Sequence, residues 1–375
     1  MSVELKEHQQ MLHQMVVDFA HKEIEPLDTI IDKQKGYPKH LWTKIVETGF
    51  LGLITPTEFG GANFDAVAEA QTIFDLASKS ASVAFTLEAH FKSVNQVKKF
   101  AKASLKEKYL PQTTKRIFGF GSTEPQGGSN VMGHTANAIK EGEYWILNGN
   151  KTMITNGHLA EVFLVLLKTA PYELSCFLVD KDMPGFKYGK QEDFMGMRGT
   201  PVGEIFLENV KVTDEYLLGT IGQGVEIGDS AHYDARINMG AIAAGICEHA
   251  LDIALDYAVQ RKAINQPIVE LYAIQNKITE IAIAKETTQL LYEEAAKLKT
   301  LGKSYDKVAT MAKSYGSRAV FTACDHALQV LGGYGYSHEY PVEHLLRDAR
   351  ALQLAEGSLE KMVIEIAKAV RKERT

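Results

Sequence analysis

The chain has 375 residues, 45% of them hydrophobic, enough to bury a large core and to divide into two or three domains. Its 41 basic and 47 acidic residues leave a net charge of −6, which argues against a nucleic-acid binder working by bulk charge. A polyanionic small ligand is still open to it, because a few local arginines suffice for that.

The N-terminus, Met1 to Lys6, lacks a basic stretch followed by an apolar run, so no export signal is expected. Residues 1–117 read as a helical domain: Met11, Met15, Val16 and Phe19 recur at helical spacing, as do Ile73, Phe74, Leu76 and Ala77. Pro56 to Gly61 marks a turn between helices, and Pro111 marks a second boundary.

Residues 118–222 change texture. Short β-type runs appear at Tyr144–Leu147, Val162–Leu166, Cys176–Val179 and Glu204–Leu207. The turn signals between them are Asn148-Gly149-Asn150, Asn156-Gly157 and Met183-Pro184-Gly185, and Asn148-Gly149 is expected to close a hairpin. Residues 223–375 return to helices. The small side chains of Ala241, Ala243, Ala244, Gly245, Ala250, Ala254 and Ala258 permit close helix packing, and further amphipathic stretches span 272–299 and 305–331. The expected fold is therefore α+β and multidomain: an N-terminal helical domain, a middle antiparallel β-barrel or sandwich, and a C-terminal helical bundle. No stretch approaches a membrane span, since Val162 to Leu167 is far too short, so no membrane partner is expected and a soluble, cytoplasmic protein is.

Gly332-Gly333-Tyr334-Gly335 and Gly219 to Gly224 are glycine-rich, but neither follows a strand and opens a helix, so the dinucleotide fingerprint fails. There is no His-Glu-x-x-His and no Cys/His cluster, and Cys176, Cys247 and Cys324 are widely spaced, so no metal or disulfide is expected.

Two segments carry chemistry. In Arg347 to Gly357, the lone carboxylate of Glu356 follows an apolar stretch and precedes a glycine. Lost hydration there is expected to raise its pKa toward the range of a working general base, although a solvent-facing glutamate before the last helix would look the same. In Phe120 to Asn130, hydroxyls at Ser122, Thr123 and Ser129 surround a glycine-rich loop whose backbone N–H groups suit a heteroaromatic edge or a pyrophosphate.

Thr123-Glu124-Pro125-x-x-Gly128-Ser129 resembles the Thr-Glu-Pro-x-x-Gly-Ser signature of the acyl-CoA dehydrogenases. Further blocks resemble that family in the same order: Asn148 to Gly157, Arg236, Arg261-Lys262, Gln329 to Gly335, Arg347-Asp348-Ala349 and Glu356-Gly357-Ser358. The resemblance covers essentially the whole chain. It implies an FAD enzyme that removes hydrogens across Cα–Cβ of an acyl-CoA thioester, a base taking the α-proton while the β-hydrogen leaves as hydride to flavin N5.

By the same resemblance Glu356 is the base. The alternative position in the family, on an earlier helix, is Ala235 here, which cannot accept a proton. Thr155 matches a hydroxyl on flavin N5, Thr123 one on the pyrimidine edge of the ring, and Ser129 a pyrophosphate and CoA contact. Phe120, Ser122, Met153, Ile154 and Ser358 fall around the cofactor, while Arg236, Ala355 and Gly357 fall beside the substrate. Arg261, Ile264, Gln329, Gly332 and Gly333 are implied to reach the FAD of a neighbouring subunit, which implies a homo-oligomer, a dimer of dimers. The implied electron acceptor is an electron-transfer flavoprotein. Arg347 and Asp348 are read as structural, ordering the loop that carries Glu356.

Several positions depart from the family pattern. Met153 replaces an aromatic, Ile264-Asn265 an aromatic-glycine pair, Tyr272 a glutamine, and Leu354-Ala355 the usual Ile-Tyr before the base. The loss of the tyrosine ring at Ala355 points to a bulkier or branched acyl group. Two other readings share these residues: an enoyl-CoA reductase running the reaction backwards, and a divergent flavin oxygenase or non-catalytic flavoprotein.

Overall fold

A computed structural model describes residues 5–128, 130 and 133–374. The first part of the chain forms helices α1 (Glu7–Phe19), α2 (Asp28–Gln34), α3 (Lys39–Glu47), α4 (Ala66–Ala77), α5 (Ala81–Phe100) and α6 (Ala103–Tyr109). α5 is buried almost all round from Ala81 to Val94, as befits a helix packed on α4, on the β-sheet and on the long C-terminal helix together.

Strands β1 (Phe118–Gly121), β2 (Asn137–Glu141), β3 (Tyr144–Ile154), β4 (Val162–Ala170), β5 (Glu173–Asp180), β6 (Phe186–Gln191), β7 (Gly203–Val212) and β8 (Leu217–Leu218) form one eight-stranded sheet. Its order is β6-β7-β3-β2-β4-β5-β8, with β1 beside β4. The β1–β4 and β2–β4 pairings are parallel and the rest antiparallel. The middle part is a β-domain as expected, but its sheet is mixed and does not close, so an antiparallel barrel or sandwich describes it only loosely. Val162 to Leu167 of β4 are fully or almost fully buried, as a central strand covered on both faces requires.

Asn148-Gly149 is not a turn. β3 runs straight through it, paired on both sides, and Gly149 (φ +132°) sits at a break in register against β7. A Cβ there would lie 2.4 Å from that of Ala136, so the glycine answers to close packing and a bulge rather than to a hairpin. The β2–β3 hairpin turns instead at Gly142-Glu143, with Gly142 at φ +60°.

The remainder is helical: α7 (Gly224–Gln260), a small hairpin of β9 (Lys262–Ala263) and β10 (Gln266–Pro267), then α8 (Tyr272–Thr300), α9 (Asp306–Leu331), α10 (Val342–Leu352) and α11 (Leu359–Lys372). Ala241, Ala243 and Ala244 of α7 are completely buried, and these short side chains let α8 and α9 pack closely against it. α4 and α5 lie on the same long helix, so the two helical parts share one core with the sheet at its side. Among the described residues no helix is long and apolar enough to cross a membrane.

Candidate active site

A cavity of about 540 Å³ opens between the sheet, α5, α7 and the segment joining α10 to α11. From the sheet side it receives Phe120, Ser122, Thr123, Met153 and Thr155. From the helical side it receives Leu354, Ala355, Glu356, Gly357 and Ser358. Two segments more than two hundred residues apart in the chain, each picked out by its chemistry, thus line one space.

The sheet wall is built by a buried ion pair. Glu124, which follows Ser122 and Thr123, accepts from Lys151 of β3 (Nζ–Oε1 2.6 Å), and both side chains are about 1% exposed. Lys151 also donates to the Ser122 carbonyl (3.2 Å), and the Thr152 N–H to that of Thr123 (2.9 Å). The loop is thereby tied to the end of β3, where pairing with β7 slips between Lys151 and Ile154 and Met153 takes φ +54°. That bulge turns Met153 out to the cavity at 52% exposure. Ile154, expected at the cofactor, instead points its side chain into the core at 2% exposure.

Among the described residues, no protein group bonds the hydroxyls of Ser122, Thr123 or Thr155, although all three face the cavity. Free hydroxyls on a wall of Phe and Met side chains are the lining that a flat heteroaromatic ring with a polar edge needs, so the residues fit an isoalloxazine. Ser358 differs: its Oγ caps α11 by accepting from the Lys361 N–H (3.4 Å). Ser129 lies outside the described residues.

Glu356 sits at φ +54°, a left-handed conformation that costs a non-glycine residue about 1–2 kcal/mol. Gly357 follows at φ +98°, and a Cβ on it would lie 2.8 Å from Met362 Cε, so this position requires glycine. The Glu356 side chain is only 8% exposed. Lys92 of α5 donates to Oε1, and His232 Nδ1 of α7 lies 2.8 Å from Oε2. Because a carboxylate only accepts, Nδ1 carries the hydrogen.

These partners reverse the expected ionisation of the base. Burial does push the Glu356 carboxyl upward, as anticipated from the sequence, but the Lys92 ammonium and then His232 outweigh it. The carboxyl is held well below the usual carboxylate range and is ionised at neutral pH. Burial pushes Lys92 down, but the Glu356 carboxylate beside it raises it overall, so it stays an ammonium.

Neither partner stood out in the sequence. His232 lies one helical turn before Arg236 and shares its helix face, a spacing that could have pointed to it. Glu88 and Lys92, four apart in α5, read like an ordinary surface pair. The segment Phe194 to Met197, a further wall of the cavity, carried no signal at all.

Arg236 is not on the cavity, which corrects its expected role beside the substrate. It is 1% exposed, and its guanidinium holds the Glu365 carboxylate of α11 through two nitrogens and the Thr310 hydroxyl of α9 (3.0 Å). Nε lies 3.5 Å from the Glu356 carbonyl oxygen, so the arginine braces the loop from behind. Lys313 of α9 completes that brace by donating to the Gly357 carbonyl.

Arg347 of α10 grips Asp32 of α2 with both terminal nitrogens (2.9 and 2.8 Å) and donates to the Met195 carbonyl (2.7 Å). Asp348 accepts the Met197 N–H (2.5 Å). The pair is structural, as read, but it fastens the 194–197 wall to α10 rather than gripping the Glu356 loop itself.

Arg261, Gln329 and Gly333 are exposed and Gly332 half-buried, all away from this cavity. Ile264 projects from the β9–β10 tip, 86% exposed at φ +53°. Edge-to-face contacts from Tyr257 through Tyr340 to Tyr334 join the end of α7 to the Gly332–Gly333 turn.

Models of the three acyl-CoA dehydrogenase domains match the chain in order: N-terminal at residues 6–116, middle at 119–210 and C-terminal at 222–371. The chain belongs to the acyl-CoA dehydrogenase family. It is 36% identical over 369 residues to an acyl-CoA dehydrogenase of Bacillus subtilis, covering 96% of this chain and 97% of the other. It is 35% identical to a 3-(aryl)acrylate reductase of Clostridium sporogenes, covering 96% and 98%. The structure of butyryl-CoA dehydrogenase from Megasphaera elsdenii superposes with a TM-score of 0.96 at 31% identity, covering 99% and 100%. The protein is accordingly an FAD-dependent oxidoreductase.

Proposed function

We propose that this cavity removes two hydrogens across the Cα–Cβ bond of an acyl-CoA thioester, with Glu356 as the base. The observation that carries the reading is a buried, ionised carboxylate sharing an apolar cavity with three unengaged hydroxyls. FAD bound there would accept the hydride lost from Cβ. The chain's own residues do the rest. Glu356 takes the Cα proton, the Ser122, Thr123 and Thr155 hydroxyls hold the edge of the ring, and Phe85, Phe120, Phe194 and Met197 exclude water.

Ala355 on the cavity wall leaves room for a bulkier or branched acyl chain than a tyrosine there would allow. Arg261, Ile264, Gln329, Gly332 and Gly333, gathered toward one end of α7 and turned to solvent, suit contact with a second copy's cofactor. Ser129, six residues after Thr123 in the sequence, is assigned with them to the cofactor and CoA. We propose further that the protein is a homo-oligomer, a dimer of dimers, that works in the cytoplasm and passes electrons to an electron-transfer flavoprotein.

The test is anaerobic addition of an acyl-CoA to the purified yellow protein, which should bleach it. Glu356→Gln should keep the colour and bleach slower by about 10²–10⁴-fold, as expected for a lost proton-transfer group. Bleaching at the wild-type rate would remove Glu356 from the reaction.

The reductive direction has its own support. The 3-(aryl)acrylate reductase is among the similar proteins. Reoxidation of the photoreduced enzyme by an enoyl-CoA, much faster than bleaching by the saturated ester, would decide for it.

A further inference from the structure

Buried lysines are poor stabilisers. Desolvation of both charges offsets most of their attraction, and a well-packed apolar pair is often as stable. Yet Lys92 is buried in α5, its ammonium bonded to Glu356 and 5.9 Å from the centre of the Phe120 ring, itself a wall of the cavity. The ammonium thus stands at the reacting end of the site.

Every charge around Glu356 bears on what Lys92 does. From α5 come Lys92 and Glu88. Neither oxygen of Glu88 has a hydrogen-bond partner among the described residues, and burial keeps its carboxyl protonated well above the usual range. From α7 come His232 and Arg236, the latter committed to Glu365. From α9 comes Lys313, committed to the Gly357 carbonyl. Arg350 and Lys361 stand on the cavity wall without a bond to the Glu356 carboxylate. Among the described residues, two groups alone bond that carboxylate, one on each oxygen and each from a different helix.

Attachment at both oxygens fixes the last rotations of the side chain. Each oxygen keeps a second lone pair, so a proton from substrate can still be received.

We propose that Lys92, assisted by His232, is a positioning residue for the dehydrogenation: bonded to one oxygen while His232 bonds the other, it holds the Glu356 carboxylate fixed in the cavity, ready to take the proton. This rests on the reading of Glu356 as the base. Without Lys92, burial would act on Glu356 without the ammonium that opposes it, and the carboxyl would titrate higher.

The experiment follows the pH dependence of flavin bleaching at saturating acyl-CoA in the holoenzyme. The wild-type rate should stay flat well below the ordinary carboxylate range. Lys92→Met should move the acid limb up by about 1–3 pH units, at unchanged flavin content and with KM little altered, and Lys92→Arg should restore the wild-type limb. A folded, yellow Lys92→Met enzyme with the wild-type limb overturns the proposal. Should Lys92→Met not fold, His232→Gln reads the same effect from the other oxygen, and an unmoved limb there overturns it equally. Failure of the base assignment looks different, because Glu356→Gln would then bleach at the wild-type rate whatever the Lys92 variants do.

Discussion

Arg236 offers the sharpest test of the structure against the sequence, since the sequence reading put it beside the substrate and the fold puts it behind the catalytic loop. Replacing it with methionine keeps most of the apolar stem and removes the guanidinium. The groups abandoned are the Glu365 carboxylate, the Thr310 hydroxyl and the Glu356 carbonyl. Breaking a fully buried pair costs about 3–5 kcal/mol, because one charge is left without a partner. Two features reduce that here. The Glu365 side chain is 23% exposed and can rehydrate, and Lys361 stands 3.7 Å from it. Thr310 keeps its own bond to the Asp306 carbonyl (2.7 Å). A loss of about 2–3 kcal/mol is therefore expected.

The assay is urea unfolding at saturating FAD, reading the midpoint and checking that the slope is unchanged. Arg236→Lys should recover part of the loss only, since an ammonium cannot hold a carboxylate through two nitrogens. An Arg236→Met protein with the wild-type midpoint but a raised KM for CoA thioesters would refute the brace and restore the substrate contact.

Two further outcomes are expected. Across butyryl-, octanoyl-, isobutyryl- and aryl-substituted CoA esters, the wild-type enzyme should favour the bulkier acyl groups. Ala355→Tyr should cut turnover of those at least about tenfold, a loss of one packing-scale contact energy, and spare butyryl-CoA; wild-type preference for butyryl-CoA sinks the idea. His344 of α10, 2.7 Å from Asp28, is pushed down by burial, but Asp28 raises it more, to about 9 against an ordinary 6.5. A folded-state pKa above the unfolded one means that its stabilisation is complete below about pH 6.5 and fades as pH rises through about 9. The effect is on the order of 3 kcal/mol. His344→Gln should flatten the fall of the urea midpoint across that window, and an unchanged slope would refute it.

The sequence alone determined the order of helical, β and helical parts, the ends of α8 and α9 to within a residue or so, and the two short segments that meet at the cavity. Each of these is a local signal: apolar spacing sets which face is buried, and the glycine after Glu356 marks a left-handed turn. The tertiary structure alone decided what those residues are worth chemically. Asn148-Gly149 has the composition of a hairpin turn but is drawn through a long strand by pairing with β2 and β7. Arg236 reads as a substrate cation until Glu365 claims it from 129 residues away. The state of the base depends most of all on distance in space rather than in sequence. Lys92 is 264 residues from Glu356 and His232 is 124, and no local pattern carries the hydrogen bonds that they bring to its two oxygens. Burial can be anticipated from neighbours along the chain, whereas the electrostatic potential at a buried atom is a sum over whatever the fold brings within a few ångströms of it.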